Sequence, residues 1–161
     1  MEQEGEPARW FAFVEKGYFK YVTHGISDGR EHITWFSFTG EIVGDYPNML
    51  HGGSSQFTIK AMTPCKVLRI DSESLFQFFN MNCEMMEYQR RIDHHLLILF
   101  QSRYVDFYRA TASERYRLQL RRCPGIINDL PLAAIASFLN ITPNHLSSIR
   151  KEITFANEKD I

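Results

Sequence analysis

The polar residues of one C-terminal stretch are spaced so that they share a single helix face. In residues 140–153, NITPNHLSSIRKEI, the apolar residues Leu146, Ile149 and Ile153 recur at helical spacing. The other side holds hydroxyl, amide, imidazole and cationic groups: Thr142, Asn144, His145, Ser147, Ser148, Arg150 and Lys151. An Asn amide can pair with adenine through two hydrogen bonds, whereas cations and helix N-termini bind phosphate. We therefore expect this face to contact double-stranded DNA.

A second, shorter helix is predicted just before this one. Asn128 or Asp129 is expected to cap it and Pro131 to occupy its first turn. Its apolar face would carry Leu132, Ile135, Ala136 and Leu139. Asn140 suits a left-handed turn, and Thr142 and Pro143 suit the start of the next helix. The pattern predicts a helix-turn-helix, which places its second helix in the major groove. The alternative is an ordinary helical hairpin, which predicts no polar and basic enrichment on the outer face.

Charge is divided unevenly along the chain. Between Arg103 and Lys151 there are eight Lys or Arg residues against three acids, a net charge of +5. Because the whole chain carries −1, the remainder carries −6. Such asymmetry indicates a polyanionic partner for the basic part, although basic stretches are more often solvated faces.

Residues 9–70 have the pattern of short antiparallel strands. RWFAFVEKGYFKYVT reads as two strands joined by a hairpin at Glu15-Lys16-Gly17. Further strands are predicted in EHITWFSF, GEIVGDYP, QFTIKAM and CKVLRI, with HGGSS as a loop. This spacing favours a β-sandwich or jelly roll, with the opening strands of an eight-stranded roll missing.

Helices are predicted for most of the chain after residue 70. Asp71 or Ser72 should cap a short helix, and a helix of about 28 residues (about 42 Å) should follow from 83 to 110. Its apolar positions include Ile92, Leu96, Leu99, Phe100, Tyr104 and Phe107. Since this helix is longer than a small barrel can cover, we expect it to pair with a second copy. Burial within one chain is the alternative. Another helix should span residues 111–124.

Several classes of protein do not suit this sequence. No apolar run reaches the ~20 residues that cross a bilayer, and the acidic start differs from a signal peptide. Three scattered cysteines predict neither disulfides nor a zinc knuckle, so we expect a reducing, cytoplasmic setting. No two histidines have the one-residue separation of a cupin-type metal enzyme. We therefore expect neither an enzyme nor a metal site.

Taken in order, these parts resemble the Crp/Fnr family of bacterial transcription regulators. The quoted motifs that carry the resemblance are EGEPA, the Gly17 turn, GEIVGDY and IASFLNITPNHLSSIRK. The resemblance implies an α+β fold: an antiparallel β jelly roll, incomplete at the N-terminus, then a long dimerisation helix and a C-terminal helix-turn-helix. The corresponding divisions are 1–81 for the cyclic-nucleotide-binding-like roll, 82–110 for the dimerisation helix, and 111–161 for the DNA-binding part. Either the chain would be a form shortened at its start, or its start was misplaced.

The resemblance also implies an effector pocket, at Gly44, Asp45, Tyr46, Ser55 and Gln56. Cyclic-nucleotide-binding members of the family have Gly-Glu-Leu at the first element and Arg-Ser or Arg-Thr at the second. Here Asp45 is a shorter acid, and Ser55-Gln56 supplies no arginine for a cyclic phosphate. The sequence thus argues against cyclic nucleotide, and it predicts no cofactor and an unknown small effector. Three scattered cysteines argue against an iron–sulfur cluster, and the unclustered histidines argue against haem.

The functional hypothesis is a homodimeric regulator that binds a palindromic DNA site. Half-sites would lie about one turn, ~34 Å, apart. RNA polymerase is a further partner that the resemblance suggests, and a membrane is not. The alternative is a sensory or interaction module of the cyclic-nucleotide-binding fold that does not bind DNA.

Overall fold

The computed structural model describes residues 2–159, with the side chains of all but 127 and 154–159. The chain divides into two compact units, one ending at Arg103 and the other beginning at Tyr104. The first holds the β-structure, and the second holds short helices. No described helix is long and apolar enough to cross a membrane.

The strands of the first unit form two antiparallel sheets in the described part of the chain. They are β1 (Trp10–Lys16), β2 (Phe19–His24), β3 (Glu31–Ser37), β4 (Ile42–Val43), β5 (Thr58–Ala61) and β6 (Lys66–Asp71). One sheet has the order β4-β1-β6 and the other has the order β3-β2-β5. Alternate side chains, among them Val14, Tyr21 and Ile59, point inward and form a shared apolar core. The predicted α+β class with an antiparallel roll is confirmed.

The predicted hairpin between the first two strands is wrong. The chain does turn at Gly17, whose φ is +100°, but β1 and β2 pair with strands of different sheets. Side-chain hydroxyls hold the turn, because Thr39 accepts from the Gly17 N–H and Thr63 from the Tyr18 N–H. A Cβ at Gly17 would lie 2.8 Å from the Pro64 carbonyl oxygen. The glycine therefore marks a change of sheet, which a sequence pattern cannot distinguish from a hairpin.

Helices complete the first unit. The helix α1 (Tyr46–His51) was not predicted, because six residues are too few for a periodic pattern. The predicted helix after the last strand is α2 (Ser72–Phe79), and Asp71 caps it by accepting from the Ser74 N–H at 2.8 Å. The long helix is α3 (Cys83–Arg109), as predicted to within a residue.

The second unit contains α4 (Ala112–Arg122), α5 (Ile126–Asp129), α6 (Leu132–Phe138) and α7 (Pro143–Lys159). A capping box between Thr111 and Glu114 starts α4. The expectation for Asn128 and Asp129 was wrong, because both belong to α5 instead of capping α6. Pro131 stands at the N-cap of α6, one position before its first turn.

Arg115 ties the helix ends of the second unit together. Its guanidinium donates to the carbonyl oxygens of Ala110 at 2.7 Å, Phe107 at 3.3 Å and Leu139 at 3.0 Å. These carbonyls lie at or just beyond the C-terminal ends of α3 and α6, where carbonyl groups lack helical partners. One side chain thus satisfies three acceptors and lies 5.3 Å from the Phe107 ring.

We expect Arg115→Met to destabilise the second unit by about 2 kcal/mol, because it leaves these carbonyls without their charged donor. Denaturant unfolding followed by far-UV circular dichroism measures the change. Arg117→Met is the matched control, since Arg117 is exposed on the same helix. Equal midpoints for the two variants would contradict the role of Arg115.

Candidate functional site

The turn between α6 and α7 has the geometry that the sequence predicted. Asn140 adopts a φ of +54°, the left-handed conformation that Asn tolerates. The Ile141 N–H donates to the Ala136 carbonyl at 3.0 Å, which closes the turn tightly. Ala136 is fully buried, so its small side chain suits a close crossing of the two helices.

The start of α7 is capped as predicted. The Thr142 hydroxyl accepts from the His145 N–H at 3.2 Å, so Thr142 is the N-cap. Leu146 is completely buried, and only 3% of Ile149 is exposed, so these two residues anchor the inner side of the helix. The first turn of α7 remains exposed with its polar side chains.

The outer face of α7 brings together most of the predicted DNA-contacting residues. Exposed side chains are Thr142, Asn144, His145, Ser148 and Lys151, whereas Ser147 and Arg150 are half-buried. The Ser148 hydroxyl donates to the Asn144 carbonyl at 3.3 Å, which leaves its lone pairs as acceptors. Burial raises the pKa of Tyr116, and the charge of nearby Arg150 partly offsets the rise. Arg150 therefore lies toward the inner side of the helix.

A second candidate site surrounds Asp45 in the first unit. Only 3% of Asp45 is exposed, and its Oδ2 accepts from Asn48 Nδ2 at 2.9 Å, Ser55 Oγ at 3.3 Å and the Gln56 N–H at 2.9 Å. Gly44 precedes it with a φ of +139°, and a Cβ there would lie 2.8 Å from the Trp10 carbonyl oxygen. Four of the five predicted pocket residues, Gly44, Asp45, Ser55 and Gln56, thus form one group.

Tyr46 is directed away from this group. Its hydroxyl donates to Asp93 Oδ1 on α3 at 2.8 Å, and its ring lies 4.9 Å from that of Phe11. Burial raises the pKa of Tyr46, and the neighbouring Asp93 raises it further. Tyr46 therefore connects α1 to the long helix.

Glu2 is a member of the Asp45 site that sequence reasoning missed. Only 4% of Glu2 is exposed, and neither carboxylate oxygen has a hydrogen-bond partner. Burial raises the pKa of its carboxyl, and the charge of Asp45 adds to the rise. The Ser55 hydroxyl, the backbone of Asp45 and the charge of the N-terminus offset part of this rise in pKa. Nothing in the pattern of the acidic first residues distinguishes a buried acid from a solvated one.

Backbone hydrogen bonds hold Glu2 in this place. The Glu2 carbonyl accepts from the Ile59 N–H at 3.0 Å, and the Ser55 carbonyl accepts from the Gly5 N–H at 2.8 Å. The Ser55 N–H in turn donates to the Glu6 carbonyl at 2.8 Å. Residues 2–8 therefore run along residues 53–59 and cover the Asp45 site.

Tyr21 forms the wall of the site beside these acids. Its hydroxyl accepts from the Gly44 N–H at 3.0 Å and lies 3.2 Å from Ser37 Oγ. Burial raises the pKa of Tyr21 to about 12, and the charges of Glu2 and Asp45 contribute to the rise. No Lys, Arg or His side chain in the described part of the chain hydrogen-bonds to either carboxylate. The site is therefore acidic.

The comparisons with known proteins identify the first unit. Residues 3–82 match the family model of the cyclic nucleotide-binding domain. This segment belongs to that family. No curated protein is similar enough in sequence to compare with the chain.

Solved structures share the fold of nearly the whole chain. FixK2 from Bradyrhizobium japonicum has a TM-score of 0.81 at 18% identity, covering 98% of this chain and 80% of its own. A putative cAMP-binding regulatory protein from Silicibacter pomeroyi DSS-3 has a TM-score of 0.68 at 21% identity, covering 97% of this chain and 72% of its own. TTHB099, a CRP-family transcriptional regulator from Thermus thermophilus, has a TM-score of 0.68 at 16% identity, covering 98% and 81%. The fold is that of the Crp/Fnr regulators, as the resemblance implied.

We expect Glu2→Gln to stabilise the protein at pH 7 by about 1 kcal/mol, roughly 2–4 °C in Tm. Because the pKa of the folded carboxyl exceeds its ordinary value of 4.5, folding takes up a proton between the two values. Stability therefore falls as pH rises through that interval, and the advantage of the variant should vanish below pH 4.5. Thermal unfolding at several pH values measures this difference.

Glu6→Gln is the control for this prediction, because Glu6 is exposed in the same segment. It should change Tm little at any pH. A Glu2→Gln variant that is less stable than the parent at pH 7 would show that the carboxylate has a partner in solution.

Proposed function

We propose that this protein is a transcription regulator that binds DNA through α7 and acts as a homodimer on a palindromic site. The observation that carries the proposal is the outer face of α7. A capped helix N-terminus, an amide, hydroxyls and a lysine are exposed there, while Leu146 and Ile149 fix the opposite side in the core. The regulator role of proteins with the same fold supports the assignment.

Each exposed group of α7 has a distinct task in the proposed complex. The Thr142 hydroxyl and the Asn144 N–H would bind a phosphate, because the helix dipole favours an anion at this end. Asn144 would read a base edge in the major groove, with adenine as its best partner. Ser148 would accept a hydrogen bond from a base, and Lys151 would neutralise a phosphate. Arg150, which is half-buried at the edge of this face, would contact a phosphate as well.

The apolar surface of α3 supports the proposed dimer. Ile92 and Leu96 pack partly against the cluster that contains Tyr46, Met49 and Leu75. In contrast, 67% of Leu97, 48% of Phe100 and 66% of Tyr104 are exposed. Exposed apolar side chains this close together mark an interaction surface. A second copy of the helix would cover them and set the separation of the two DNA-reading helices.

The proposed effector pocket is the site around Asp45, not a cyclic nucleotide site. A cyclic phosphate needs a charge-assisted donor, and Ser55 stands where the resemblance places an arginine. The sensory or interaction module without DNA binding is the competing function, and no described contact favours it over the regulator.

Substitutions of Asn144 and Lys151 separate base reading from phosphate binding. Asn144→Ala should weaken binding to the preferred duplex by about 1–3 kcal/mol and relax base preference at one position. Lys151→Ala should weaken binding to all duplexes alike and reduce the salt slope by about one unit. Fluorescence anisotropy against a selected palindrome and a scrambled duplex, at several salt concentrations, measures both effects.

Lys66→Ala is the matched control, because it removes one exposed lysine from the β-sheet unit. It should leave the salt slope unchanged. If Asn144→Ala and Lys151→Ala behave like this control, α7 does not contact DNA and the competing function is correct.

A charged substitution on α3 tests the proposed dimer. Leu97→Glu should convert the dimer to a monomer, because it places a charge in the exposed apolar surface of α3. High-affinity binding to a palindrome should then fall to the level of a single half-site. Analytical ultracentrifugation and anisotropy measure the two effects.

Ser102→Glu controls for the added charge. Ser102 is exposed and lies five residues further on, about 140° round the same helix. This variant should remain dimeric. A Leu97→Glu dimer as stable as that of the parent would exclude this surface as the interface.

A further inference from the structure

The Asp45 site is acidic, whereas an anionic effector requires a positively charged site. The charge of Asp45 raises the pKa of Glu2, and the charges of both carboxyl groups raise that of Tyr21. Asp45 is satisfied through Oδ2, which accepts three hydrogen bonds. Glu2 is not, because both of its oxygens are buried without a partner. A phosphate or carboxylate brought to this site would meet repulsion and no cationic donor.

An unpartnered buried carboxylate calls for a positive group. Burying a charge without compensation costs several kcal/mol, so the group either takes up a proton or acquires a cation. Among the described residues no Lys, Arg or His side chain hydrogen-bonds to Glu2, and the N-terminal charge offsets only part of the rise in its pKa, so a ligand cation can complete the neutralisation. The buried carboxyl of Glu2 therefore indicates the charge of the ligand, in addition to its effect on stability.

An organic ammonium group suits these acceptors better than a metal ion does. Calcium and magnesium require about six oxygen ligands. In the described residues no group of three or more His, Cys, Asp or Glu side chains could hold a metal. A protonated amine has three N–H donors. Glu2 Oε1, Glu2 Oε2 and Asp45 Oδ1, the Asp45 oxygen that accepts none of the three bonds, provide a matching number of acceptors.

We propose that the Asp45 site binds a small organic cation through a protonated amine, with Glu2 as its principal ligand. The inference rests on the proposed role of this site as the effector pocket, and it gives the chemical class of that effector. Entry requires residues 2–8 to separate from residues 53–59, because they cover the carboxyl. Binding would then hold the two segments together, with the amine as counter-ion to Glu2.

Thermal shift and isothermal titration on the full chain test the proposal. The cationic probes are methylamine, putrescine and agmatine, and the anionic probes are acetate and cyclic AMP. At least one amine should raise the Tm of the parent with increasing concentration at pH 7.5, and neither anion should. Affinity should fall at least tenfold in Glu2→Gln and remain unchanged in Glu6→Gln. Lowering the pH toward 5 should weaken amine binding, because a proton competes for the same carboxyl.

Three outcomes would overturn the proposal. No shift with any amine would mean that a proton alone satisfies Glu2. An equal shift in Glu2→Gln would place the amine elsewhere, and a shift with cyclic AMP would mean that the site accepts an anion. Glu2→Gln is expected to fold at least as well as the parent, so loss of binding cannot be attributed to unfolding.

DNA binding is measured separately, without any amine, by the Asn144→Ala and Lys151→Ala comparison. Amine binding without DNA binding would support the ligand class and refute the regulator. DNA binding without amine binding would do the reverse. The two failures are therefore distinguishable.

Discussion

The buried carboxylate of Asp45 is the interaction on which the first unit depends. Its single oxygen Oδ2 accepts from a side-chain amide, a hydroxyl and a backbone N–H, and these donors come from α1 and from the loop before β5. Charge-assisted bonds to one atom hold the loop at Ser55 and Gln56 against the start of α1. Only a glycine fits just before it, because Gly44 passes close to the Trp10 carbonyl with a positive φ. A single carboxylate therefore organises the start of α1 and the loop before β5.

Two neighbouring residues connect the candidate pocket to the long helix. Asp45 faces the pocket, and the next residue, Tyr46, donates to Asp93 of α3. Asp93 also lines an apolar cavity of about 430 Å³ with Leu50, Phe76 and Leu96. Asp45 is the N-cap of α1 and Tyr46 is its first residue, so a continuous series of contacts joins the pocket to α3. A regulator that responds to a ligand needs such a physical link between its pocket and its proposed dimer helix.

Sequence reasoning succeeded where the signal was local or periodic. The caps at Asp71 and Thr142, the length of α3 and the left-handed Asn140 follow from side-chain chemistry within a few residues. It failed where a distant partner decides the outcome. The turn at Gly17 joins two sheets because Thr39 and Thr63 hold it, and Glu2 is buried because residues 53–59 pair with its backbone. No local pattern encodes either contact.

The net charge of a segment argues for a polyanionic partner only once the structure shows what its cations contact. Of the cations that make residues 103–151 basic, Arg103 lies 3.5 Å from the centre of the Trp35 ring, and Arg115 is bonded to helix-end carbonyls. Arg109 approaches Asp106 at 3.8 Å, an exposed pair that contributes little. Part of the positive charge thus serves the fold of this chain. The inference about DNA therefore depends on where the polar groups of α7 are exposed, and not on the net charge.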